Sequence, residues 1–323
     1  MTDHLNLKGI SSVFKTTLNN ELQDNLIEFL EWSLLEKGNY FNVTLGELSE
    51  DGHDYSRLKV SDNSNYVNGK AWESFRSNWV WQSGISFDPA PIVGNNNAIP
   101  GISGIYINDN FYPTSTTGTY EYKIDYYNGR VIFKNPIPTT SKVQAEYSYK
   151  YINIFYSNSL PWLAEVQYRS LDIPENFLES KNGFILPPES RVQLPAIAVE
   201  IVPKRTMRGL QLGGGQIVST DVLFHCLAED EYTRNKLVDI ISYQNDRIIK
   251  MFNSNQLAQS GAFPLDYMGT PVSGALRYPE LIDQYPGGKM TFKNATVQGM
   301  KLINSNFYAG IVRITTDIIN LNI

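Results

Sequence analysis

The chain reads as an α+β protein: a mainly antiparallel sheet with two packed helices, plus a small inserted all-β, sandwich-like module. Three observations lead to this class. Two stretches, one near residue 20 and one after residue 229, carry apolar residues at helical spacing. Many short β-branched and aromatic runs are separated by Asp, Gly and Asn clusters. The run "KVQAEYSYKY" alternates, with Val143, Ala145, Tyr147, Tyr149 and Tyr151 on one side and Gln144, Glu146, Ser148 and Lys150 on the other.

In chain order, "NNELQDNLIEFLEWSLLEKGNY" sets Leu22, Leu26, Phe29, Leu30, Ser33 and Leu34 on one helical face, with Asn19 or Asn20 as cap and Gly38 as terminator. From residue 40 to 86 the pattern is β, with Trp72, Trp79 and Trp81 anchoring a core. Residues 86 to 101, "SFDPAPIVGNNNAIPG", hold three prolines and three consecutive asparagines, which sets a boundary there. A compact β module follows over 86–155, inserted into a main domain made of 1–85 and 156–323. Its sheet is expected to have one solvated face.

Within the module, "KIDYYNGRVIF" reads as a hairpin. Asn128-Gly129 suits a two-residue type I′ turn, so that Tyr127 faces Arg130, Tyr126 faces Val131 and Ile124 faces Phe133. Residues 172–195 and 253–289 are rich in breakers and read as extended arms or loops. Between them lie the strand "AIAVEIVPK", the turn "LGGGQ", the strand "IVSTDVLFHCLA", and a helix from near Glu229 with an apolar stripe of Leu237, Ile240, Ile241, Ile248, Met251 and Phe252. Two closing strands, "MTFKNATVQGMKLI" and "FYAGIVRITTDIINLNI", complete the main sheet.

Composition narrows the function. A net charge of −6 over 323 residues leaves no Lys/Arg excess for a nucleic-acid surface. The single Cys226 rules out an intrachain disulfide framework. The first residues lack a secretion signal, and no stretch approaches 18 apolar residues, so a soluble protein without a membrane partner is expected. Charged residues make up only 19%, while Asn, Ser, Thr and Tyr are plentiful, a surface suited to protein interfaces.

No catalytic, metal or cofactor constellation emerges. Asp221, His225 and Glu229 are spaced by four, which would align them on a helix; on the strand this segment forms, successive members lie ~13 Å apart. Gly213-Gly214-Gly215 lacks the Lys-Ser/Thr of a phosphate loop and joins strand to strand. Cys226 and His225, adjacent on a strand, point to opposite faces and form no nucleophilic pair. The acidic runs "ELSEDGHD" and "AEDEY" read as loops or helix starts, although two carboxylates are the equipment of a cell-wall glycan hydrolase. Tyr147 and Tyr149 admit two readings, sheet packing and a carbohydrate platform.

The segments "GIYINDNFYP", "YKIDYYNGRVIF" and "KVQAEYSYKY", in that order, resemble a β module of tailed-bacteriophage virion proteins, particularly head-to-tail connector and tail proteins. The flanking strands and the helix after residue 229 more loosely resemble the tail-terminator and neck class. That resemblance implies an α+β subunit without catalytic residues. It would build a homo-oligomeric ring, a hexamer or dodecamer, at the head–tail junction of the virion after assembly in the host cytoplasm. Its partners would be the capsid connector and the tail tube or sheath, with an acidic lumen for passing DNA. The expected interface residues are Tyr127, Asn128, Gly129, Arg130, Tyr147 and Tyr149. A baseplate or fibre-attachment protein is the alternative, with the β module binding carbohydrate or protein.

Overall fold

The structure, a computed structural model, describes residues 18–46, 48, 52, 54–82, 84–85, 101–157, 193–209, 216–304 and 307–320. The α+β class is as expected: helices are combined with two curled, mostly antiparallel sheets. The chain divides into two compact units. One comprises Met1–Glu31, Asn153–Ala262 and Leu276–Ile323; the other comprises Trp32–Ile152 and Phe263–Ala275.

Unit 1 is built on a six-stranded sheet. Its strands are β9 (Asn153–Tyr156), β10 (Ala196–Gly209), β11 (Gln216–Ala228), β12 (Ile248–Phe252), β13 (Pro286–Asn304) and β14 (Phe307–Asn320), in spatial order β12-β13-β14-β11-β10-β9. All neighbours are antiparallel except β9 and β10. The closing strands therefore do complete the sheet begun near residues 197 and 217. On β11 the even positions Val218, Val222, Phe224 and Cys226 are buried beside Val312, Ile314 and Ile318 of β14, as period-2 alternation requires.

Helix α1 (Leu18–Leu35) buries Leu22, Leu26, Phe29, Leu30 and Leu34, the stripe its spacing indicates. Asn19 and Asn20 lie inside its first turn rather than capping it. Gly38, at φ 81°, lets its own amide and that of Asn39 reach back to the last carbonyls. Asn25 does the work of a strand neighbour: its amide donates to the Phe252 carbonyl (2.9 Å) and its oxygen accepts from the Phe252 amide (2.7 Å).

Helix α2 (Glu231–Ser242) is capped by Asp230, whose carboxylate accepts from the Thr233 amide at 2.8 Å. It is shorter than its stripe indicated. Asp246 takes a left-handed φ of 58°, and Ile248–Phe252 continues as β12, alternating exposed and buried at Ile248, Ile249, Lys250 and Met251. A five-residue segment with four apolar residues fits both periods, and pairing with β13 decides for the strand. The stretch expected to be an arm at 253–289 instead holds α3 (Ser254–Ser260) and α4 (Tyr278–Gln284) and enters β13. These helices of seven residues are too short to show a period. The other expected arm, 172–195, lies almost wholly outside the described residues, as do most of 86–101 and the Gly213–215 turn.

Unit 2 is an eight-stranded antiparallel sheet: β1 (Tyr40–Val43), β2 (Arg57–Val60), β3 (Ala71–Glu73), β4 (Ile102–Ile107), β5 (Asn110–Pro113), β6 (Tyr122–Asp125), β7 (Arg130–Phe133) and β8 (Val143–Lys150). The order is β5-β4-β8-β2-β3-β7-β6, with β1 also on β8. The inserted module therefore starts earlier than residue 86, since β1–β3 belong to its sheet. It also takes in Phe263–Ala275, where Thr270 donates to the Ile124 carbonyl (2.9 Å) and Tyr126 donates to that of Gly269 (3.3 Å).

Strand β8 is buried on both faces, contrary to the expected solvated side. Val143, Ala145 and Tyr147 join the core with Trp72, Trp79, Val131 and Phe133. Gln144 and Ser148, on the opposite face, are held by Ser56 and Asn42. Of the expected anchors, Trp72 and Trp79 are buried and Trp81 is only half-buried.

A Cβ on Gly310 of β14 would lie 2.6 Å from Cγ2 of Val238 on α2, so this helix lies closest to the sheet where a side chain is missing. Gly310→Ala should cost about 1–3 kcal/mol by overpacking. Combined with Val238→Ala, it should destabilise by less than the sum of the single changes. Urea unfolding of the four proteins checks this, and strict additivity would refute the close approach.

Candidate assembly surface

The six residues singled out in the sequence come together only in part. Strand β6 pairs with β7 through Ile124↔Val131 and Asp125↔Arg130, so the loop is the four residues 126–129, two longer than expected, and the register differs accordingly. Gly129 alone takes a positive φ (64°). The cause is Asp125, whose carboxylate accepts from the Asn128 backbone amide (3.1 Å) and side-chain amide (2.7 Å) and closes a longer turn. Burial pushes the Asp125 carboxyl up, against those hydrogen bonds and the Arg130 charge. The two-residue turn is instead Asn108-Asp109, both at positive φ (49° and 67°), between β4 and β5.

Nor is the tip free. The residues after β3 grip it: Ser74 donates to the Gly129 carbonyl (3.0 Å), Asn78 to that of Tyr127 (2.9 Å) and Trp79 to that of Tyr126 (2.7 Å). Arg130 is buried against Glu73 at 2.7 Å. Tyr147 is buried and stacks on Trp79, with ring centroids 4.3 Å apart. Tyr147 therefore offers no carbohydrate platform. Tyr149 is half-buried, and of the six only Tyr127 is exposed.

Nearby, Arg76 has its guanidinium 5.2 Å from the Tyr149 ring centroid, 5.3 Å from Phe75 and 5.7 Å from Tyr55. Its Nε is buried without a hydrogen-bond partner among the described residues. Phe75 is exposed.

Unit 1 carries a polar sheet face. On the sheet face opposite the Val222–Phe224 core side, Asp221 accepts from Arg313 and from Thr315 (2.7 Å), and Asp317 accepts from Ser219 and pairs with Lys293 and Arg208. Burial raises the Asp317 carboxyl, but hydrogen bonds from Lys293 and Ser219 and the charges of Lys293 and Arg208 outweigh it and hold it below the usual carboxylate range. Further along, His225 Nε2 lies 2.7 Å from Glu200. The cations Arg208, Lys293 and Arg313 thus stand beside the carboxylates Asp221 and Asp317 on this face. Asp221 and His225 sit on strand β11 with these partners, and no group of acids, His and Cys able to hold a metal occurs among the described residues. Cys226 is buried and its thiol is pushed up to about 12.

Among the described residues the sheet also has edges without a strand neighbour, which the sequence did not disclose. Strand β9 pairs with β10 only at Ala196–Val199, and β12 with β13 only at 286–291, beyond which the Arg247 carbonyl and the Asn245 side chain still accept from the amides of Phe292 (2.8 Å) and Ala295 (3.0 Å). Beyond those limits β10 runs on to Gly209 and β13 to Asn304. Exposed on them are Met207 (55%), Val297 (45%), Met300 (44%) and Leu302 (60%). Alternation marks strands but not how far one outruns its neighbour, so only the pairing reveals these edges.

Comparison of the chain with family models, curated proteins and solved structures finds no match.

A Cβ at Gly129 would meet the Arg76 carbonyl oxygen at 2.4 Å, and its φ disfavours any side chain. Gly129→Ala should therefore cost about 2–4 kcal/mol. Hydrogen exchange should rise in unit 2 peptides and stay unchanged in unit 1; an unaltered unit 2 would show a loosely held tip. Asp317, depressed in the folded state, contributes stability above the usual carboxylate range that is lost as pH falls through its folded value. Asp317→Asn should lose about 1–3 kcal/mol at pH 7, a gap that narrows toward pH 3. Urea titrations of both proteins at the two pH values read it, and a gap that does not change with pH would exclude the role.

Proposed function

We propose that this chain is a structural protein of a tailed-phage virion that self-assembles into a cyclic ring at the head–tail junction, joining the capsid connector to the tail. The observation that carries the self-assembly is the pair of strand edges on the unit 1 sheet that have no strand neighbour among the described residues. Unpaired backbone amides and carbonyls flanked by exposed apolar side chains are a template for another strand, and natural monomers normally cover or shorten such edges. The order of the three β segments over residues 104–151, which resembles a virion β module, supports the placement in a tailed phage. The role is one of assembly and calls for no catalytic group. The ring contacts the connector, the tail tube or sheath, and passing DNA only non-specifically.

A second reading, a baseplate or fibre-attachment protein, is favoured by one feature: Arg76 holds its charge among the rings of Tyr55, Phe75 and Tyr149, of which Phe75 is exposed. It would bind an anionic glycan through unit 2.

Electron microscopy of the purified protein and of labelled virions separates the two. Closed rings and label at the neck are the expected result. Label at the distal tail, with glycan binding lost in Arg76→Ala, would replace the neck assignment with the attachment role. A strictly monomeric protein absent from particles would end both.

A further inference from the structure

The two open edges of the unit 1 sheet are diagonal to each other. The β10 edge centres on Met207, which pairs with Val218 of β11; the β13 edge centres on Met300, which pairs with Gly310 of β14 and through it with Cys226 of β11. Val218 and Cys226 are eight residues apart, so the two centres differ in level by about 26 Å at ~3.3 Å per residue. At the level of Met207, β12 covers β13; at that of Met300, β9 covers β10. The two edges are thus sheltered at opposite ends of the sheet, and both lie beyond β9 and β12 in the middle, where Glu200–Ile201 stand level with Ala295–Thr296.

Side-chain phase adds a second constraint. Met207 pairs with Val218, Val297 with Val312, Met300 with Gly310 and Leu302 with Tyr308, and these partners pair in turn with Ile318, Phe224, Cys226 and Ala228. All four exposed apolar residues therefore project from the face that carries the buried core. Strands β10 and β13 also run in opposite directions within the sheet, so two copies in the same orientation would meet there as an antiparallel pair.

We infer that the β10 edge of one copy pairs with the β13 edge of a second copy, antiparallel and near a Met207–Met300 register, extending the unit 1 sheet from subunit to subunit. This rests on the self-assembly reading above and names its contact. The occupant is a second copy because one heterologous contact covers both open edges and places Met207 against the row Val297, Met300 and Leu302 with the apolar face kept in phase. An isologous β13–β13 contact would leave the β10 edge bare. Successive subunits then step by about 26 Å along the strands, with β12 of one copy and β9 of the next fitting end to end past each other.

The test uses the full chain with Met207→Cys, Met300→Cys, or both, and a short bismaleimide cross-linker; native Cys226 is buried. The pairing requires that mixing the two single variants gives a covalent dimer, that each alone gives none above wild type, and that the double variant gives a ladder of higher oligomers. In addition, Val297→Lys with Met300→Lys should shift the protein to monomer in light scattering with unchanged circular dichroism. Cross-linking of Met300→Cys with itself would overturn the pairing in favour of an isologous contact. Rings by microscopy without the mixed product would overturn it while leaving the self-assembly reading intact. A monomer that cross-links in no combination would overturn both, with the strand bulges of β13 then serving as an edge guard.

Discussion

The ladder between β11 and β14 governs unit 1. It runs through consecutive pairs from Gln216↔Asn320 to Ala228↔Tyr308 without a bulge, and it buries Val218, Val222, Phe224 and Cys226 of one strand with Val312, Ile314 and Ile318 of the other. A slip of one residue would turn Val222, Phe224, Cys226, Val312 and Ile314 outward and bring Asp221 and Arg313 into the core, a change no local rearrangement could offset. With that register set, Gly310 falls under Val238, where a bare backbone is needed. Asp317 then falls among Ser219, Lys293 and Arg208, and the open edges fall on opposite diagonals.

Asparagine has a second use beyond the uncharged surface. Asn25 exchanges two hydrogen bonds with the backbone of Phe252, and Asn39 does the same with Ile152, donating to its carbonyl at 2.8 Å and accepting from its amide at 2.6 Å. A side-chain amide presents a donor and an acceptor at the spacing of a peptide group, so it can satisfy backbone that has no strand neighbour on that side. Both side chains are buried, which makes each pair costly to leave half-made. In unit 2 the residues 74–79 play a comparable part: they turn the hairpin tip from a projecting loop into a packed element.

An assembly role fits this division. The long strands of unit 1 supply edges, while in unit 2 the segment 263–275 hydrogen-bonds at the end of the terminal strand β6.

Much of this was legible in the residues. The amphipathic stripe of α1, the alternation of β8 and the succession β10, β11, β13 and β14 follow from periodicities of 3.6 and 2 that local sterics impose on any chain. Elsewhere local pattern was outvoted. Ile248, Met251 and Phe252 suit a helical stripe and a strand equally, and only hydrogen bonding to β13 chooses. Asn128-Gly129 favours a two-residue turn in isolation, yet the Asp125 carboxylate and the carbonyl-seeking amides of Ser74 and Asn78 draw it into a longer one. Tyr147 and Tyr149 sit on one strand face, and whether that face meets ligand or core depends on Trp79, far away in sequence. The sequence by itself determined the class, the order of elements and the buried stripes, because those rest on interactions within a few residues. Register, the membership of each unit and the open edges were decided only by the tertiary structure, because each depends on which distant strand supplies a hydrogen-bonding partner and where that partner ends.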